Sequence, residues 1–257
     1  MKSVLLAGLV AVFAAGSAIA ADMPVKARPA PVIAPTWTGT YIGINGGYGW
    51  ATTNHTDVFG VTTGDFSQSG GMVGVTYGGN WQSGPYVLGF ESDLDWADIN
   101  GTLGPTALCA VAVPQVPGAA STCFSKIKDF STERMRAGYD LNGWMLFGTA
   151  GAAFARVNAG QNPCGFVPVN IGLGLGGGNS CGEKWRAGWV AGVGVEKMFL
   201  PHWSAKIEYL HFDLGNSIQY MPTAIAGGSS VHVLERGDMV RVGINYQFDL
   251  LGLLHLN

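Results

Sequence analysis

The chain of 257 residues carries 14 Lys and Arg residues against 17 Asp and Glu residues, a formal net charge of −3. Because it contains no basic run or patch, nucleic-acid binding has no electrostatic basis. Only 12% of the residues are charged while 47% are hydrophobic, whereas soluble domains are typically about 25% charged.

The first twenty residues have the order of a secretory signal peptide. Lys2 gives a positive start, the run VLLAGLVAVFAA at 4–15 is apolar, and the closing AIA has the small-x-small form of a cleavage site. The apolar run is too short for a transmembrane helix, which needs about 20 residues. We therefore expect a signal peptide at 1–20, cleaved after Ala20, and an extended Pro-rich periplasmic linker at 21–36.

From residue 37 to residue 248, apolar and polar side chains alternate with the period of two that is typical of β-strands. In YVLGFESDLDW (86–96), for example, the apolar side chains share one face and three carboxylates share the other. The segments have the length of about nine to eleven residues that a tilted membrane strand needs. Their ranges are 41–50, 71–79, 86–96, 131–140, 144–156, 185–197, 203–212 and 239–248. The fifth has no clear polar face, so the pattern leaves its orientation open.

The links between these segments alternate in length. Short links fall at 80–84, 140–143 and 199–202, and long links fall at 52–69, 99–127, 157–183 and 215–234. Short turns on one side and long loops on the other are typical of outer-membrane barrels. Two sets of tryptophans lie near opposite ends of the segments, as two aromatic girdles at the membrane surfaces require. The periplasmic set is Trp37, Trp81, Trp144 and Trp203, and the outer set is Trp50, Trp96 and Trp185. A soluble β-sandwich also alternates, but it does not explain the signal peptide, the tryptophans and the link lengths together.

The pattern therefore predicts an all-β fold, an eight-stranded antiparallel transmembrane up-and-down β-barrel at 37–248. Four long loops are expected outside the cell and short turns in the periplasm. Residues 249–257 are expected to be a C-terminal extension of the barrel. The expected location is the cell outer membrane.

If the apolar face meets lipid, the polar face lines an interior that eight strands leave just wide enough for side chains. Because unpaired ions are costly in an enclosed interior, the two signs of charge should form ion pairs there. We expect Glu196–Lys206, from strands joined by a short turn, and Glu91–Arg134, from similar depth. The predicted interior charges are Glu91, Asp93, Asp95, Arg134, Arg136, Arg186, Glu196, Lys206, Glu208 and Arg241.

The sequence contains only weak matches to nucleotide-binding, metal-binding and catalytic motifs. GLGLGG at 172–177 fits a dinucleotide-binding pattern, but no helical pattern follows it. Glu91, Asp93 and Asp95 on alternate strand positions lack the glycine of a calcium loop. No metal-ligand spacing of His or Cys exists, so no metal and no cofactor is expected. His211 and Asp213 with a loop serine only imitate a triad, and no catalytic residue is predicted.

The four cysteines fall two to a loop. In an exported chain such cysteines are expected to pair, and the spacing favours Cys109–Cys123 and Cys164–Cys181. Each local disulfide would stabilise a long loop by about 3 kcal/mol in the entropic description.

The motifs AADMPVKA (20–27), WTGTYIGINGGYGW (37–50) and RVGINYQF (241–248) resemble the small outer-membrane proteins of alphaproteobacteria. These are known as outer-membrane immunogenic proteins or as an OmpA-like porin family. The resemblance covers nearly the whole mature chain. It implies an eight-stranded barrel, exposure as a surface antigen and a role in envelope integrity, and some relatives are credited with binding haem.

The resemblance also implies that the barrel-assembly machinery reads Tyr246 and Phe248 as an assembly signal. Such chains are expected to stop at the terminal Phe, but here DLLGLLHLN follows it. We expect assembly to depend on Phe248 and not on Asn257.

The expected function is that of a structural outer-membrane barrel with a charge-paired, plugged interior and antigenic loops. The expected partners are outer-membrane lipid, the barrel-assembly machinery, and an extracellular ligand or host surface that contacts the loops. The alternatives are a small porin-like channel, a haem-binding receptor using His55 and His232, and a membrane-embedded enzyme.

Overall fold

Eight long strands hydrogen-bond to their neighbours in an unbroken ring in the computed structural model, which describes residues 36–105, 122–162, 164, 166–167, 178–220 and 230–248. The barrel strands are β1 (Gly39–Asp57), β2 (Thr62–Ser83), β3 (Tyr86–Leu103), β4 (Thr122–Asp140), β5 (Trp144–Asn162), β8 (Cys181–Leu200), β9 (Trp203–Tyr220) and β10 (Val231–Phe248). Two short strands, β6 (Phe166–Val167) and β7 (Gly178–Asn179), pair with each other between β5 and β8. The order around the barrel is β1-β10-β9-β8-β5-β4-β3-β2, with antiparallel neighbours throughout. The predicted fold is thus confirmed.

The first and last barrel strands close the ring. The β1–β10 ladder runs from Thr40 opposite Phe248 to Asp57 opposite Val231. Each of the eight barrel strands therefore has a hydrogen-bonded neighbour on both sides, which is the condition for a sheet to stand in hydrocarbon. Within the described residues, no helix is long and apolar enough to span a membrane.

The turns at one end of the barrel are tight, as expected. Asn142 and Gly143 both take positive φ, 55° and 85°, which is the pattern of the two-residue turn that matches the twist of a hairpin. His202 and Gly84 also take positive φ in their turns.

At the other end the strands run further than the alternation predicts. The first link covers only residues 58–61, not 52–69, because β1 and β2 continue as a ladder. Residues 52–57 are all polar, a composition that predicts a loop. Since hydrophobic alternation fades where the outward face reaches water, it cannot mark the true end of a strand.

The structure also settles the orientation of β5. Met145, Phe147 and Thr149 point inward and are buried, whereas Trp144 and Leu146 point outward. The inward face is mostly apolar, which explains why the sequence shows no polar face. Large apolar side chains cover the outward face of the other strands too, with Ile44, Val73 and Val242 all exposed.

Candidate functional site: the barrel interior

In the described residues, the side chains that fill the interior change in character along the barrel axis. Trp37, Val87, Met145 and Phe147 form a base cluster at the end with the tight turns. Above it lies a charged layer, which consists of Glu91, Asp93, Asp95, Arg134, Arg136, Glu196, Lys206, Glu208 and Arg241, all buried. Next is an apolar layer built around Phe130, Phe212, Leu210, Ile99 and Met239. An outer polar layer around Glu235 follows towards the long links.

Strand alternation positions the three carboxylates of β3. Glu91, Asp93 and Asp95 occupy every second position, so all three side chains enter the interior. Ladder register places Arg134 of β4 directly opposite Glu91. Their charged atoms lie 2.5 Å apart, Arg134 Nη2 to Glu91 Oε1, so the structure brings the expected pair together.

Arg134 joins three carboxylates. Besides Glu91, its Nη2 lies 2.6 Å from Asp93 Oδ2, and its Nη1 lies 2.9 Å from Glu208 Oε2 of β9. Its Nε donates to Thr132 Oγ1 at 3.1 Å. A guanidinium carries five donors in a planar fork, so one arginine can hold acids from several walls at once.

Arg241 does the same from β10. Its Nη1 lies 2.7 Å from Asp95 Oδ2, and its Nη2 lies 2.9 Å from Asp93 Oδ2 and 2.7 Å from Glu208 Oε1. Arg241 is fully buried. The carboxylates of Asp93 and Glu208 are therefore shared between two arginines.

Arg136 links the charged layer to the base cluster. Its Nη2 lies 2.6 Å from Glu196 Oε2 and its Nη1 lies 3.2 Å from Glu91 Oε2. The guanidinium stands 4.2 Å from the centre of the Phe147 ring, a cation–π contact. Tyr41 donates its hydroxyl hydrogen to Glu91 Oε2 at 2.8 Å.

The ion-pair partners of Lys206 differ from the prediction. Glu196 and Lys206 are opposite in the β8–β9 ladder, but Lys206 Nζ lies 2.7 Å from Glu91 and 3.3 Å from Glu208. Within the described residues the ion pair of Glu196 is with Arg136. The predicted Glu196–Lys206 bridge is wrong because the long side chain of Lys206 carries its ammonium group across the interior to Glu91 of β3 and close to Glu208 of its own strand.

Neutral side chains complete the charged layer. Thr76 and Thr132 donate to Asp93 at 2.7 and 2.9 Å. Ser204 and Asn245 donate to Glu196 at 2.5 and 2.9 Å. Because the carboxylates accept from several fixed donors, the network holds its ions in one arrangement.

Arg186, the tenth predicted interior charge, is buried but belongs to the outer polar layer. Its Nη2 donates to the backbone carbonyls of Leu214 and Gly215, at 3.3 and 2.5 Å. The sequence reasoning missed Glu235, which accepts from Gln68 Nε2 and Ser125 Oγ. Glu235 lies six positions from Arg241 on β10, so the two side chains share the inward face of the strand. Extending the alternation of this strand towards its N-terminal end would have identified Glu235.

Two histidines, His55 and His232, lie on strands and not in the long links where the sequence places them. His55 is buried on β1 rather than in a loop, and its ring packs edge-on against Phe66 with 5.3 Å between centroids. His232 lies on β10. His211 pairs with Asp238 at 2.8 Å on the outward face, and not with Asp213.

Cys164 is joined to Cys181 by a disulfide, with 5.5 Å between the Cα atoms. Cys123 is buried on β4, but Cys109 lies outside the described residues, so Cys109–Cys123 stays a prediction. The segments 1–35, 172–177 and 249–257 also lie outside the described residues. Tyr246 and Phe248 end β10, and their role in assembly stays a prediction.

In the charged layer, the carboxylates and the cations neutralise each other's charge. The carboxylates of the charged layer face cations at 2.5–3.3 Å. In the described part of the chain, no group of three or more His, Cys, Asp or Glu is arranged to hold a metal ion.

Sequence comparison relates the chain to outer-membrane proteins. A family profile described as "Outer membrane protein beta-barrel domain" matches residues 7–248. The 31 kDa outer-membrane immunogenic protein of Brucella melitensis is 34% identical over 265 residues, covering 96% of this chain and 100% of the relative. The 25 kDa outer-membrane immunogenic protein of Brucella abortus is 30% identical, covering 91% of this chain and 90% of the relative.

Among solved structures, the outer membrane protein OprG of Pseudomonas aeruginosa is similar to this chain with a TM-score of 0.45 and 11% identity. The match covers 84% of this chain and 99% of that one.

Proposed function

Because this chain belongs to the outer membrane protein β-barrel family, we propose that it is a structural outer-membrane barrel whose interior is plugged by its own side chains. The outer links then form its surface for recognition from outside the cell. The immunogenic naming of the Brucella relatives supports this role for the links.

One contact carries the proposal of a closed interior. Glu91 of β3 and Lys206 of β9 stand on opposite walls, four strands apart in either direction around the ring. Their charged atoms nevertheless meet at 2.7 Å, with both side chains almost fully buried. An interior crossed by such a contact leaves no aqueous path along the axis, in contrast to the wide barrels of about sixteen strands that conduct.

Planar-bilayer recording of the purified chain tests this proposal. We expect a flat baseline at voltages where a general porin opens. Heat-modifiable migration on a gel should first establish that the inserted protein is folded. Reproducible channel steps from the folded wild type would overturn the closed interior and favour a small pore.

Surface recognition is tested by epitope insertion at two matched glycines. Gly60 and Gly84 both take positive φ in tight links, at opposite ends of the barrel. An epitope at Gly60 should bind antibody on intact cells, and one at Gly84 only after the outer membrane is permeabilised. The reverse labelling would contradict the orientation.

We infer further that the barrel is not an enzyme. The interior acids are held by cations, and His211, the histidine nearest to a triad-like arrangement, pairs with Asp238 on the outward wall. A triad needs a nucleophile within hydrogen-bond reach of its base. Hydrolysis of phospholipid or peptide substrates by the folded barrel, abolished in His211→Ala, would refute the inference.

A further inference from the structure

Arg186 differs from the other buried cations of the described residues because it has no carboxylate partner. The other four each contact at least two carboxylates; they are Arg134, Arg136, Lys206 and Arg241. Arg186 of β8 is only 5% exposed, and its Nη2 donates to the backbone carbonyls of Leu214 and Gly215. Its Nε and Nη1 have no hydrogen-bond partner in the protein. Because an unpaired buried ion is costly, these two groups point to a site for an anionic group.

The outer links cannot supply that group. The links between strands that lie outside the described residues contain no Asp and no Glu; they are 106–121, 163, 165, 168–177 and 221–229. Asp213 lies within electrostatic range of Arg186, but its Oδ1 accepts from the backbone N–H of Gly215 at 2.6 Å.

Glu235 of β10 is a buried acid in the same outer polar layer, also within electrostatic range of Arg186. It accepts from Gln68 Nε2 and Ser125 Oγ, which are both uncharged. Two buried amide oxygens, Gln68 Oε1 and Gln219 Oε1, have no hydrogen-bond partner in the protein. The layer therefore offers unpaired donors on Arg186 and, beside an acid, unpaired acceptors. A carboxylate complements the donors, and an ammonium group complements the acceptors and the acid.

The wall beside Arg186 is not closed by a backbone ladder. The β8–β9 ladder ends towards the outside at Trp189 opposite Asp213. Both strands nevertheless continue beyond this point, β8 to Cys181 and β9 to Tyr220. We call residues 181–188 and 214–220 the outer seam.

Side chains bridge the outer seam where the ladder is absent. Lys184 Nζ donates to the carbonyl of Ile218 at 2.8 Å, and Gln219 Nε2 donates to the carbonyl of Gly182 at 2.9 Å. Gly215, whose carbonyl accepts from Arg186, is exposed, and a Cβ at this position would meet no atom within 4 Å. Side-chain contacts can separate without breaking a ladder, so the seam gives a small solute a path to Arg186.

We propose that the outer polar layer binds a small zwitterion. Its carboxylate accepts from Nε and Nη1 of Arg186, and its ammonium group donates towards Glu235 and the amide oxygens of Gln68 and Gln219. The ligand and the layer each carry one charge of either sign, so both buried ions gain a partner. A dianion such as phosphate would be repelled by Glu235. The apolar layer separates this site from the charged layer, so the proposal does not depend on the closed interior.

Ligand-detected NMR on the purified full chain, folded in detergent micelles, tests the site. The probes are glycine, β-alanine and γ-aminobutyrate, whose two charged groups stand progressively further apart. Acetate and methylammonium serve as the separate halves. At neutral pH, at least one zwitterion should bind about tenfold more tightly than either half, because it makes charged hydrogen bonds at both ends.

Two variants with a matched control locate the binding. Arg186→Gln and Glu235→Gln should each weaken the binding of the best zwitterion by about tenfold, as expected for loss of a hydrogen bond to a charged group. Arg156→Gln is the control, because Arg156 lies on the outward face of the neighbouring β5, where it is ion-paired to Asp129. Its binding should equal that of the wild type. The heat-modifiable gel shift establishes that each variant is folded.

Four results would overturn the proposal. They are no binding of any zwitterion to the folded wild type, acetate binding as tight as that of the best zwitterion, undiminished binding in folded Arg186→Gln, and equal losses in Arg186→Gln and Arg156→Gln. If Arg186→Gln does not fold, the comparison of zwitterions with their halves on the wild type and the binding of Glu235→Gln still decide the question.

Discussion

The charged layer and the apolar layer fill the same narrow lumen in opposite ways. In the charged layer, long side chains from distant strands meet across the interior, as Arg134 of β4 does with Glu208 of β9. In the apolar layer, Phe130 and Phe212 pack with 5.0 Å between ring centroids and form no polar contact there. The apolar layer closes the lumen because its side chains fill the available volume. The charged layer closes it because ion pairs between distant strands cross it.

The difference decides what each layer contributes. Two well-packed apolar groups can be exchanged for others of similar volume at small cost. A buried ion pair contributes less net stability than its contacts suggest, but removing one partner is strongly destabilising because the other ion stays buried and unpaired. The charged layer should therefore tolerate single substitutions least.

The largest effect is expected from Arg241→Met. This change leaves Asp95, Asp93 and Glu208 without one of their cations, and we expect a loss of about 3–5 kcal/mol of unfolding free energy. Urea titration in phospholipid vesicles, followed by tryptophan fluorescence, measures it. Arg236→Met on the exposed outer wall is the matched control and should leave stability unchanged. Equal stability of the two variants would contradict the role of the charged layer.

A smaller effect is expected in the apolar layer. Leu210→Ala creates a cavity beside Phe212, and we expect a loss of about 3 kcal/mol in the same titration. Leu210→Met, which keeps the volume, should cost less than about 1.5 kcal/mol. If the alanine and methionine variants were equally stable, the layer would not be close-packed.

Pairwise coupling sharpens the comparison further. A double-mutant cycle with Arg136→Met and Glu196→Gln should give a coupling free energy of about 2 kcal/mol, since both partners are buried and 2.6 Å apart. The exposed pair Lys126–Asp98, 2.7 Å apart, should show coupling too small to measure. Comparable couplings for the two pairs would mean that water reaches the charged layer.

The smallest effect is expected from salt. Because enclosed ions are screened much less than exposed ones, raising the ionic strength should leave the Arg136–Glu196 coupling nearly constant. Repeating the cycle in concentrated sodium chloride measures this. A coupling that falls steeply with salt would show that the interior is open to ions.

The sequence predicts which side chains enter the interior better than it predicts their partners. Alternation alone places Glu91, Asp93 and Asp95 on the inner face, because each strand position has only two orientations. Partner choice depends on how walls far apart in sequence face each other. Arg241 meets Asp95, 146 residues away, and no local pattern encodes that distance.

Two further limits have physical causes. The orientation of β5 is hidden because Phe147 and Met145 are apolar and yet point inward, where they serve the base cluster. The tryptophan pattern misplaces Trp37, which is buried in the same cluster and donates from Nε1 to Asp140 at 3.1 Å. Composition shows that a residue is apolar, but it does not show whether lipid or the barrel base covers it.

Thiol accessibility in intact membranes tests the closed charged layer most directly. Thr76 is fully buried, accepts from Asn45 at 3.0 Å and donates to Asp93 at 2.7 Å. In outer-membrane vesicles, Thr76→Cys should resist a small membrane-impermeant maleimide added from either side, whereas Thr62→Cys at the exposed outer end of β2 should react fully. Rapid labelling of Thr76→Cys in a folded barrel would show an open lumen and contradict the account.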